Sequence, residues 1–196
     1  MLLRYSPGSP FGRKPAIAVH LLGLAGNIEM VNHAADPDNS IRQRNPLHKV
    51  PMLVTDSGAE IFDSPVIVEY LDDMAGGGKL LPASGEGRYK ALTRLALADG
   101  IAEASVLINY EDRWREPEQK SQKWIEHQRG KVERGFAFFE ANVPASFDAA
   151  AIGLFCAVTY VDQRNDIPGW RDRFPALAAW FEKVRASEPA IAATDP

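Results

Sequence analysis

At 196 residues, with 45% hydrophobic and 24% charged residues, the chain is long enough to bury a substantial core, in one large domain or two small ones. Its 22 basic and 26 acidic residues leave a net charge of −4 with no basic patch, which argues against a nucleic-acid partner. The single cysteine, Cys156, excludes an intramolecular disulfide and a CxxC redox pair and fits a reducing compartment, the cytoplasm. No run reaches the ~18–20 apolar residues of a membrane-spanning helix.

Residues 1–5 (MLLRY) read as a strand, and Ser-Pro-Gly-Ser-Pro after them as a turn. Arg13-Lys14 followed by the apolar run 16–26 imitates a secretory leader. Pro7, Gly8 and Pro10 make that start a turn, however, and Ile17, Leu21 and Leu24 repeat at helical spacing, so an amphipathic helix is expected. Asn27 to Val31 is a second strand, and a short helix is expected near Ser40 to Arg44. Met52 to Thr55 and Glu60 to Phe62 flank Asp56-Ser57-Gly58 as a hairpin. Ser64 as N-cap and Pro65 at the first helical position open the next helix, with Ile67, Tyr70, Leu71 and Met74 on one face. The order is βαβαββα over residues 1–77.

Gly76-Gly77-Gly78 closes that helix, and 78–85 reads as a linker. Residues 86–196 are expected to be all-helical. Helices are expected at 86–115 and 118–142, the latter with Ile125, Val132, Phe136 and Phe139 on a common side. Asp148 caps an uncharged helix over Ala149 to Val161, apolar nearly all round, as buried central helices are. Cys156 lies in it and reads as inert core. Trp170 to Ser187 reads as one final amphipathic helix.

Three chemistry-bearing features stand out. Val50-Pro51 opens an apolar strand, where proline has no ladder N–H to give. From the residues alone, a trans proline that merely starts an edge strand is the preferred reading, because cis X-Pro bonds are uncommon in folded proteins. Asp63-Ser64-Pro65 marks a helix start, whose unpaired N–H groups and dipole suit an anion. Ser9 sits at a strand-to-helix turn, as a cap or as a hydroxyl available to a ligand. His20, His33, His48 and His127 form no metal-ligand pattern, so no metal is expected.

In their order and spacing, Ser9-Pro10-Phe11-Gly12-Arg13-Lys14, Asn45-Pro46…Lys49-Val50-Pro51, Asp63-Ser64-Pro65…Glu69-Tyr70-Leu71 and Tyr160-Val161-Asp162-Gln163-Arg164 make the chain resemble a glutathione S-transferase. The resemblance implies a thioredoxin-like α/β N-terminal domain, an all-α C-terminal domain, glutathione as co-substrate and a homodimer. It implies a cis Val50–Pro51 bond with the Val50 backbone paired to the cysteinyl part of glutathione, as in strand addition. Ser64 and Asp63 would hold the γ-glutamyl carboxylate and ammonium, and Lys49 the glycyl carboxylate. His48 replaces a glycine common at its position. Ser9 aligns with the position that activates the thiol, with Ser6 and Tyr5 as alternatives. The absence of a cysteine there argues against mixed-disulfide chemistry. Phe11, Tyr110, Arg113 and Trp114 would line the pocket for a small electrophile between the domains. A family capping box on the central helix is reduced here to Asp148, with Ala151 at the acid's position. The alternatives are a non-catalytic binding or regulatory member, a kind that often loses the carboxylate-binding pair or the activating hydroxyl retained here, and a glutathione-dependent isomerase, reductase or lyase, which the variable pocket decides.

Overall fold

The computed structural model describes residues 1–35, 44–164 and 166–195. The chain divides into two compact units, Met1–Leu92 with Glu188–Pro196, and Thr93–Ser187. The short helix expected near Ser40 lies outside the described residues, apart from Arg44.

The first unit is built on a four-stranded mixed sheet in the order β2-β1-β3-β4. Its strands are β1 (Leu2–Tyr5), β2 (Glu29–Asn32), β3 (Met52–Val54) and β4 (Glu60–Ile61). β1 runs parallel to β2, joined through α1 (Pro10–Leu21), because parallel neighbours need a crossover. It runs antiparallel to β3, with Arg4 opposite Met52 and Leu2 opposite Val54, and β3 pairs antiparallel with β4. The β3–β4 hairpin turns through Gly58 at φ 83°. Helix α2 (Ser64–Met74) packs on α1. Leu3, Met52 and Leu53 from the sheet, Ala16 to Val19 from α1, and Ile67, Val68 and Leu71 from α2 are fully buried and form the core.

The segment read as a linker is tightly held. Asp72, buried near the end of α2, accepts hydrogen bonds from the backbone N–H groups of Gly78, Lys79, Leu80 and Leu81 at 2.9–3.2 Å. One carboxylate thus satisfies four amides, and Leu80 and Leu81 turn inward. Helix α3 (Gly85–Trp114) starts in the first unit and continues into the second.

The chain end also differs from expectation. Glu188–Pro196, read above with the helical part, belongs to the first unit and carries the short helix α8 (Pro189–Ala192). The buried Arg13 guanidinium donates to the Ile191 carbonyl and to Thr194 Oγ1 and pairs with the Asp195 carboxylate. No local periodicity carries information about a contact so distant in sequence.

The second unit holds the rest of α3, α4 (Gln122–Ala141), α5 (Ala149–Arg164), α6 (Trp170–Arg173) and α7 (Pro175–Ser187). Every residue of α5 from Ala149 to Val158 is buried, as its uncharged sequence requires. Asp148 Oδ1 accepts the Ala151 N–H at 2.9 Å, so the cap stands without the box's acid. Val132, Phe136 and Phe139 of α4 are buried together, and Phe136 meets Trp170 and Phe174 edge-on. The final helix expected over 170–187 is broken at Phe174. Pro175 cannot continue a helix but can start one, and Glu140 caps the new start by accepting from the Ala176 and Leu177 N–H groups. Arg171 and the indole of Trp170 bind Asp162 and lower its pKa, whereas burial raises that of Asp166 despite a hydrogen bond from Ser105. Among the described residues no helix is long and apolar enough to cross a membrane.

Candidate functional site at one end of the sheet

Strand directions bring the three sequence features together. β1 ends where β3 begins, and β4, antiparallel to β3, ends there too. The turn carrying Ser9, the Val50-Pro51 step and the Asp63-Ser64 helix start therefore share one end of the sheet. The Val50–Pro51 and Phe62–Asp63 peptide bonds at this end are both cis.

Ser9 is the N-cap of α1, with Pro10 at N1. Its Oγ accepts the Gly12 N–H at 3.3 Å, and its own N–H donates to the Ser6 carbonyl at 3.1 Å. Capping uses only an acceptor lone pair, so the hydroxyl proton is still available to donate. Gly12 lets this turn close. A Cβ on it would stand 2.6 Å from the Ser6 carbonyl oxygen and 2.8 Å from the Ser6 nitrogen.

Asp63, not Ser64, is the N-cap of α2, which moves the expected helix start by one residue. The Asp63 carbonyl accepts the Ile67 N–H at 3.0 Å, while its exposed carboxylate makes no capping bond. Ser64 takes N1 and Pro65 N2, so the first turn presents the Ser64 and Val66 N–H groups without intrahelical partners. Ser64 is 1% exposed, and its Oγ is buried without a hydrogen-bond partner. Leaving a hydroxyl so costs about 1–3 kcal/mol. An acceptor at the helix start would satisfy it, and a carboxylate fits the donor set.

The loop before β3 is organised by Asn45, 2% exposed. Its Oδ1 accepts the Leu47 N–H at 3.0 Å, its carbonyl accepts the His48 N–H at 2.8 Å, and its Nδ2 donates to the Lys49 carbonyl at 2.8 Å. Asparagine before proline is a turn signal in the sequence, but its grip on Lys49 was not legible there. The Lys49 side chain is exposed, and Val50 lies outside the ladder, whose register begins at Arg4–Met52. His48 has φ 53°, in the left-handed region. That conformation costs a side-chain-bearing residue about 1–2 kcal/mol, partly offset in glycine by its freedom in the unfolded chain. His48→Gly should therefore raise stability by about 0.5–1 kcal/mol, read as a melting temperature up by roughly 1–4 °C in a thermal scan.

Phe11 is half-buried in the first turn of α1. Tyr110, Arg113 and Trp114 lie exposed on the last turns of α3, within the second unit, with the Arg113 guanidinium 5.2 Å from the Trp114 ring centre. Along α2, a cleft of about 490 Å³ is lined by Val66, Glu69, Tyr70 and Asp73 among others; Ser9, Val50, Pro51, Asp63 and Ser64 do not line it. Among the described residues no group of three or more His, Cys, Asp or Glu is placed to hold a metal ion.

Residues 8–74 match the family model for the glutathione S-transferase N-terminal domain, and 122–183 that for its C-terminal domain. The chain is 33% identical to the uncharacterized GST-like protein YibF of Escherichia coli, over 96% of this chain and 95% of that one. It belongs to the glutathione S-transferase family. A glutathione transferase family member from Pseudomonas fluorescens Pf-5, crystallised with bound glutathione, superposes with a TM-score of 0.92 at 38% identity. That match covers 100% of this chain and 98% of the other. A glutathione S-transferase from Methylobacillus flagellatus KT with glutathione bound gives 0.90 at 30% identity, covering 100% and 98%. The expected architecture, a small mixed sheet with helices followed by a helical part, is the fold of this family.

Proposed function

We propose that this transferase-family protein binds glutathione at the sheet end and stabilises its thiolate for attack on a small electrophile. The observation that carries the reading is the buried, unpartnered Ser64 hydroxyl at the start of α2. With the Ser64 and Val66 amides it makes a donor set for the γ-glutamyl carboxylate, and the exposed Asp63 carboxylate beside it suits the ammonium of the same residue. The Val50 backbone would pair with the cysteinyl unit, and Lys49 would meet the glycyl carboxylate. Ser9, its oxygen already engaged by the Gly12 amide, would donate its hydroxyl proton to the sulfur.

Glutathione supplies the sulfur nucleophile: an S–C bond forms to the electrophile as its leaving group departs with the bond's electron pair. Phe11, beside the Ser9 turn, is proposed to meet that electrophile, and Tyr110, Arg113 and Trp114, exposed on the last turns of α3, are the further residues proposed for its binding. A homodimer and a cytoplasmic setting complete the proposal. The family supports the first, and the lone buried Cys156 suits a reducing compartment.

Titration calorimetry with glutathione, followed by conjugation of 1-chloro-2,4-dinitrobenzene read by absorbance, tests the proposal. Micromolar to millimolar binding with turnover is expected. Absence of binding would overturn it. Binding with no conjugation of any aryl or alkyl halide would overturn the transferase assignment and leave a glutathione-binding protein.

A further inference from the structure

We propose that Asn45 is a positioning residue that aims the Val50 N–H at glutathione. The inference rests on the reading of Val50 as a glutathione contact and adds the residue that holds it in place. The Lys49 carbonyl and the Val50 N–H belong to one peptide unit, which is planar. It is also trans, the cis bonds being Val50–Pro51 and Phe62–Asp63. The two groups therefore point in opposite directions, and gripping one aims the other.

Asn45 Nδ2 grips the Lys49 oxygen at 2.8 Å, so the Val50 N–H is turned away from Asn45 and out of the turn it organises. The donation also polarises the peptide, making its N–H a stronger donor. Asn45 can do this because it is itself immobile. It is buried, its Oδ1 is tied to the Leu47 N–H, and its carbonyl to the His48 N–H. The exposed side chains of Leu47, His48 and Lys49 thus ride on a backbone fixed from within. Asn45 touches no ligand in this arrangement, since its amide acts through the Lys49–Val50 peptide.

Asn45→Asp is the informative variant, because it keeps the acceptor for Leu47 and removes the donor to Lys49, adding a negative charge whose effect the second ligand below controls for. Two ligands are compared by calorimetry: glutathione, and a glutathione analogue whose cysteinyl carbonyl is reduced to a methylene. Asn45→Asp should weaken glutathione about ten-fold, the worth of one hydrogen bond, and should raise its KM equally while kcat at saturation stays within about two-fold. The analogue, lacking the acceptor for Val50, should bind wild-type and variant protein alike. General loosening of the loop, or repulsion by the new carboxylate, would weaken both ligands and overturn the proposal, as would unchanged glutathione affinity.

Should the variant not fold, the wild-type Val50 amide proton resonance decides. It must move downfield on saturation with glutathione, and a stationary resonance overturns the inference. Failure of the wild-type protein to bind glutathione at all would sink the functional reading itself, a result distinct from equal binding by the two proteins.

Discussion

Ser9→Gly should slow glutathione conjugation at pH 7 by roughly three- to twenty-five-fold, the fall in thiolate fraction, while leaving glutathione affinity close to that of the wild type. A free thiol, with a pKa near 8.5, is only a few per cent thiolate at neutral pH. Lowering it by about two units takes about 2.7 kcal/mol, within reach of one oriented hydroxyl helped by the start of α1. In the proposed role Ser9 favours the anion, so its removal should raise the apparent thiol pKa, by about one to two units. The rise is visible as a shift with pH in the ultraviolet thiolate absorbance of bound glutathione.

Glycine is the chosen replacement because of the cap. Ser9 Oγ accepts the Gly12 N–H, and alanine there would lose about 1 kcal/mol of helix stability besides the hydroxyl, whereas glycine loses only a few tenths. A thiolate titration identical to that of the wild type would move the role to Ser6, Tyr5 or the backbone amides of the turn.

Gly12→Ala is expected to be more damaging to the fold than any surface change at this end. The added methyl would meet the Ser6 carbonyl oxygen at 2.6 Å and the Ser6 nitrogen at 2.8 Å, and backbone atoms cannot rotate out of the way. The same oxygen accepts the Ser9 N–H, so the turn must open at the residue proposed to act on the thiol. Overpacking of this kind costs about 1–3 kcal/mol, a fall in melting temperature of roughly 2–12 °C. Conjugation should be lost even at temperatures where circular dichroism shows the helices intact. Gly135 offers the contrast. A methyl there would stand 2.5 Å from Ile101 Cγ1, a side chain that can repack, so Gly135→Ala should be the milder of the two. A Gly12→Ala protein with wild-type stability and activity would refute the account of this turn.

Much of the fold was legible residue by residue. The buried face of α4, the uncharged α5 with its Asp148 cap, and the β3–β4 hairpin closing on Gly58 all follow from local chemistry and periodicity. Departures occurred where a local signal had two valid readings. Asp63 and Ser64 are both good caps, and the chain uses the first, leaving the Ser64 hydroxyl uncommitted. Pro175 stood inside a run that was periodic on both sides, and it starts a new helix there. The glycine-rich stretch after α2 has the composition of a loose connection, yet Asp72 binds four of its amides.

By itself the sequence determined the family, the four strands, most of the helices among the described residues and the three short segments on which the proposed site rests, because these depend on side-chain type and near-neighbour spacing. Tertiary structure decided what those segments do together. Strand direction alone brings Ser9, Val50-Pro51 and Asp63-Ser64 to one end of the sheet. The isomer of the Val50–Pro51 bond could not be read from residues whose two forms differ by only about 0.5–1 kcal/mol. The hold of Arg13 on the tail at Ile191 to Asp195 and of Asn45 on the Lys49 carbonyl are likewise results of folding. A hydrogen bond's partner is chosen by three-dimensional proximity, which no count along the chain contains.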